Sequence, residues 1–151
     1  MGNCSNLCSR IILPNSDVPV NVPTFKQEKN NNGNINISNN LRAIVNYGIT
    51  AIIQDRKGYA DGVDMSNDEA MRLYDQVLNE AKELMIRKNH DYGEAWREMS
   101  KEGIVDMIMA KVIRIKTILA NNGKTIASEG VEGNYFDIIN YAIFDLIHYE
   151  N

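Results

Sequence analysis

Cysteine, proline and long apolar runs are scarce in this chain, and each shortage excludes something. There are only two cysteines, Cys4 and Cys8. Two thiols cannot complete a four-ligand zinc site and no His lies near them, so a reduced, intracellular protein is the economical reading. No apolar run reaches the roughly 18 residues needed to span a bilayer, which points away from a membrane. The opening "MGNCSNLCSR" lacks the apolar stretch of a secretory signal. It begins Met-Gly, but Asn6 stands where the myristoylation pattern takes Ser or Thr. Walker loops, G-x-G-x-x-G and G-x-S-x-G nucleophile elbows are all missing. A net charge of −4 argues against a broad nucleic-acid-binding face, while leaving room for a local basic pocket.

At 151 residues the chain suggests one domain with room for a real core. Two unlike parts are visible. Residues 1–38 hold all three prolines (Pro14, Pro19, Pro23) and most of the run "NNNGNINISNN". The pieces "RIILP" and "VPVNV" are β-prone, but proline keeps them at a sheet edge. This part reads as an N-terminal arm, either mobile or ordered by a partner. From residue 39 onward the apolar residues recur at threes and fours: Leu41, Ile44, Val45, Ile49, Ile52 and Ile53 mark a first helix, weakened by Gly48. Ser66 and Glu69 form a capping box that opens a second helix running to about Lys88, where "NHDYG" stops it. A short helical turn follows around Glu94–Met99. Ser100 caps a third long helix closed by "NNG", with Gly123 at the C′ position. A last helix from about Gly133 to Tyr149 is apolar around most of its circumference, so it should lie at the centre. The fold class is all-α, a bundle of four to five helices. Apolar surface on helix 39–54 exceeds the obvious need of one small bundle, which suggests a homo-oligomer.

Polar residues interrupt the apolar faces in an informative way. Met107, Lys111, Arg114 and Ile118 form one stripe of the third long helix, and Asp137, Asn140, Tyr141 and Phe144 form one stripe of the last. Burying cations costs several kcal/mol each unless an anion compensates. Two explanations stand side by side. Lys111 or Arg114 pairs with Asp137 as a core ion pair, or both cations line a pocket that holds phosphate while acids hold a metal. Asp91, Asp106, Glu129 and Asp137 are the candidate acids. Glu80 and Glu83 have a metal-holding spacing, but Arg87 on the same face makes a solvated, salt-bridged surface the plainer reading. His90 reads as a surface or capping group, and His148 as a favourable partner of a helix C-terminus. Trp96 is either core or a surface for base stacking.

"KNHDYGEAWREM", then "D-x4-K-x2-R-I", "SEG" and "DIINYAIFDLI", in this order over residues 70–149, resemble the nucleotide modification associated domain 1 family. More distantly the layout is similar to that of small proteins related to the all-α MazG-type nucleotide pyrophosphohydrolases. Carried over by position, the resemblance implies ligand contacts at Asp91, Tyr92, Gly93, Trp96, Arg97, Lys111, Arg114, Asn140 and Tyr141. It implies Asp106 and Asp137 as catalytic acids, and Asp106, Glu129 and Asp137 as holders of magnesium (Mg). The implied protein is cytoplasmic, of a bacterium or a phage-infected cell, and handles a nucleotide or nucleotide-derived molecule. As an enzyme it would split a nucleoside triphosphate with magnesium; as a binding module it would hold the nucleotide without chemistry. MazG-type sites carry an E-x-x-E pair and a further acid pair on the next helix. Here Glu80/Glu83, on the second helix, has that spacing, and it faces solvent.

Overall fold

A computed structural model describes residues 37–121 and 130–150, and the side chain of the last of these is left aside. Residues 1–36 of the N-terminal arm, Gly123 and Glu129 therefore lie outside the described residues, while the arm's last two residues, Ile37 and Ser38, already belong to the first helix. Four α-helices fill the rest: α1 (Ile37–Lys57), α2 (Asn67–Tyr92), α3 (Lys101–Ala120) and α4 (Val131–Glu150), with a 3-10 turn at Ala95–Glu98. No strand occurs among the described residues, and no helix among them is long and apolar enough to cross a membrane.

Local chemistry sets the helix borders. The Ser66 hydroxyl accepts the Glu69 N–H at 3.2 Å, and Ser100 does the same for Gly103 at 3.0 Å, each satisfying one orphan donor of a first turn. The second helix runs further than its sequence suggests, taking in "NHDY" before it stops. The stop is Gly93, at φ +66°, a left-handed conformation that favours glycine. Asn, His and Asp are modest helix formers, so packing of the preceding turns carries the helix through them.

Helix α4 is the hub. Both α1 and α3 lie along it, and α2 crosses it with a smaller contact. The contacts make α1 antiparallel to α4, since Arg56 near the end of α1 reaches Glu132 in the first turn of α4. Antiparallel packing of α3 follows from Lys111 meeting Asp137 while Lys101 sits over the Tyr149 ring. The main core joins Leu41, Val45, Ile49, Ile52 and Ile53 of α1 to Val77 and Ala81 of α2 and Ile139 and Ala142 of α4. The apolar residues of α1 are thus spent inside the chain's own core. Of the large apolar side chains of α1, Ile37 and Tyr47 are exposed, while five exposed ones gather on α3. A smaller core of Trp96, Ile104 and Phe144 sits beside the 3-10 turn.

Glu80 finds its cation on α1 rather than in Arg87. Arg56 bridges Glu80 at 2.6 Å and Glu132 at 2.7 Å, and its hydrogen bond holds the Glu80 carboxyl below the ordinary glutamate range. All three side chains are about a third exposed, so this is a surface clasp between helices rather than a metal site.

Candidate functional site

Three helices converge on one carboxylate. Asp137 of α4 is buried, and Lys88 near the end of α2 donates to its Oδ1 at 2.5 Å. From α3, the Lys111 ammonium lies 2.7 Å from Oδ2. The core ion pair and the basic pocket therefore share the same atoms. Two cations thus meet on one anion, and Arg114 stands one turn beyond Lys111 on the same stripe. The environments differ: the Asp137 side chain is 6% exposed, that of Lys111 23% and that of Lys88 41%. The anion is thus the buried foundation, and Lys88 is its opening to solvent.

The neighbouring polar groups bind the helices together. The Asn140 amide donates to the Ala81 carbonyl at 3.1 Å, fixing α4 against α2, while its side-chain oxygen is buried without a partner. Tyr141 packs between the two cores. Trp96 belongs to the smaller core. Its ring stacks on Phe144 with centroids 4.4 Å apart and planes 3° apart, and the Arg97 guanidinium lies over the ring at 4.4 Å. His148 meets its edge and places Nε2 3.2 Å from the Trp96 carbonyl oxygen. With both faces occupied and the residue buried, Trp96 cannot stack on a base without rearrangement. Tyr92 is the exposed ring of the connector. Asp91 is exposed beside His90, and Arg97 also pairs with Glu94.

The implied metal set is not brought together. Asp106 is exposed, on the side of α3 opposite the buried Ile104 and Ile108, so it stands away from Asp137. Asp137 spends both oxygens on lysines, and Glu129 lies outside the described residues. Among the described residues no group of three His, Cys, Asp or Glu side chains could hold a metal ion. These residues do not fit a magnesium site. Gly130 has a capping role: its carbonyl accepts the Asn134 side-chain amide at 2.8 Å.

Two residues escaped the sequence reading. Lys88 looks like any lysine at the polar end of a helix, and only the crossing of α2 over α4 points it at Asp137. Asp145 left a better signal, an acid within "AIFDLI". It is 1% exposed and neither carboxylate oxygen has a hydrogen-bond partner. Burial pushes its carboxyl above the ordinary aspartate range, against the opposing pull of His148 and Lys101. The unfolded chain therefore ionises first. Asp145 contributes stability fully present below about pH 4, and lost as pH rises from there through its raised folded value. Denaturant melts should show this as a wild-type stability that falls, relative to Asp145→Asn, as pH rises above about 4. A difference that stays flat with pH would sink the assignment.

Residues 88–149 match the family model described as nucleotide modification associated domain 1. The match opens at Lys88 and takes in Lys111, Asp137 and the whole smaller core. No curated protein and no solved structure matches the chain.

Proposed function

We propose that this chain is a nucleotide-binding module whose phosphate contact is the lysine pair Lys88 and Lys111, seated on Asp137 and supported by Arg114. The observation that carries this reading is the convergence of two ammonium groups from different helices on one buried carboxylate, with Lys88 open to solvent. An ammonium has three donors, and Asp137 takes one from Lys88, so the group can hold a phosphate oxygen without leaving its seat. Asp137 orients the cations, which reduces the ordering cost of binding. Tyr92, exposed on the same connector, is the ring able to meet a base. The family description supplies the nucleotide class.

Binding without hydrolysis is the favoured form, because Asp137 is committed as a counter-ion and Asp106 stands on another face. The test is a set of thermal melts against mono-, di- and triphosphates of both sugars, with and without magnesium. A ligand at a hundred times its Kd should add about 2.7 kcal/mol, and this gain should persist with metal absent. Lys88→Met, which leaves Lys111 on Asp137 and the fold intact, should weaken binding about tenfold or more. No shift with any nucleotide would overturn the reading. Magnesium-dependent pyrophosphate release, abolished by Asp137→Asn, would replace it with the hydrolase.

A further inference from the structure

Among the described residues, helix α3 packs on other helices along one side only. It packs on α4 through Ile104, Ile108, Ile115 and Ile118 and makes no other substantial helix contact among the described residues. Its opposite side is also apolar. Val105, Met109, Val112, Ile113 and Leu119 expose between 44% and 59% of their surface. Scattered exposed apolar residues are ordinary, but a contiguous stripe marks an interaction surface.

The order along the stripe says what covers it. Glu102, Val105, Met109, Val112, Lys116 and Leu119 follow one another at steps of three, four, three, four and three. This is the a/d spacing of a coiled-coil seam, in which each apolar knob enters a hole on a facing helix. It runs over about 25 Å of helix at 1.5 Å per residue. Its charges are polarised. Glu102 sits at the N-terminal end, with Asp106 flanking, and Lys116 sits near the C-terminal end, all three exposed. Lys101, which would blur this pattern, is turned onto the Tyr149 ring at 3.6 Å. Two parallel copies of α3 would set Glu102 against Glu102 and Lys116 against Lys116. Two antiparallel copies centred between Met109 and Val112 oppose these two residues and set Lys116 of each within one turn of Glu102 and Asp106 of the other. A surface complementary to itself under a two-fold rotation fits a second copy of the same chain.

We propose that the chain forms a homodimer through an antiparallel α3–α3 seam, with Met109 and Val112 at its middle and the Glu102/Asp106–Lys116 charges setting direction and register. The stripe lies on the side of α3 away from Asp137, so dimerisation leaves the lysine pair open and is independent of the nucleotide reading.

Sedimentation equilibrium of the full chain at micromolar concentrations tests this. The expected result is a species of twice 17.1 kDa. Met109→Glu, at a half-exposed position outside the core, should give the monomer mass with an unchanged helical circular dichroism spectrum. Lys116→Glu should weaken association about tenfold or more, and combining it with Glu102→Lys should restore it. A wild-type monomer at every concentration, or a dimer untouched by Met109→Glu, would overturn the seam. The first of these outcomes would leave the stripe to another occupant, such as the N-terminal arm or a different protein. Dissociation by Met109→Glu without rescue by the charge exchange would overturn the antiparallel arrangement.

Discussion

Replacing both Lys88 and Lys111 by alanine is expected to cost about 3–5 kcal/mol, the range for stripping the partners from a buried charge. Asp137 would be left with its carboxylate in the helix junction and neither ammonium beside it. Against a typical folding stability of about 5–15 kcal/mol this is a large fraction. Lys88→Ala alone should cost much less, because that side chain is 41% exposed and Lys111 stays on Oδ2. Adding Asp137→Asn to the double variant removes the stranded charge and should recover most of the loss. Urea denaturation of the three variants measures this directly. A double variant within about 1 kcal/mol of wild type, the scale of a surface pair, would mean that the carboxylate is solvated in solution and the convergence is not a built feature.

Gly48→Ala carries the second large effect. Read as a helix residue, Gly48 is a defect, and alanine should gain up to about 1 kcal/mol. Its place in the fold reverses the sign. A Cβ there would stand 2.7 Å from Ile139 Cγ1 and 3.3 Å from its Cδ1, and Ile139 is fully buried with no room to retreat. Forcing α1 and α4 apart should outweigh the propensity gain and leave a net loss of about 1–3 kcal/mol, as overpacking does. A double-mutant cycle isolates the cause. Ile139→Ala alone should cost about 2–5 kcal/mol through the cavity it leaves. In that background Gly48→Ala should become neutral or stabilising, because the opposing atom is gone. If Gly48→Ala stabilises the wild-type background, the two helices do not approach as closely as this.

Much of the fold was legible because it is encoded at short range. Ser66 and Ser100 cap their helices where a hydroxyl followed by a helical stripe says they should. The encircling apolar residues of "DIINYAIFDLI" require burial on most sides, and α4 is accordingly the hub. The candidate site was half legible. A cation and an anion on apolar stripes of different helices must meet something, and Lys111 meets Asp137. Which of them meet is a matter of crossing geometry. Arg56, not Arg87, holds Glu80 because α1 passes over α2 at that point. Trp96 lies in core because Phe144 and Arg97 close on its two faces, a fact that no spacing along the chain contains.

By itself the sequence determined that the chain from residue 39 onward is built of helices, roughly where they begin, and that one of them must be wrapped by the others. Periodicity and capping act within a few residues, so they survive without knowledge of the rest. Only the tertiary structure decided that Lys88 joins Lys111 on Asp137, that Asp106 stands away from them, and that Gly48 is a contact rather than a weakness. It also decided that α3, not α1, carries the unspent apolar face. Each of these depends on which helix faces meet, and that choice is made by the packing of the whole core.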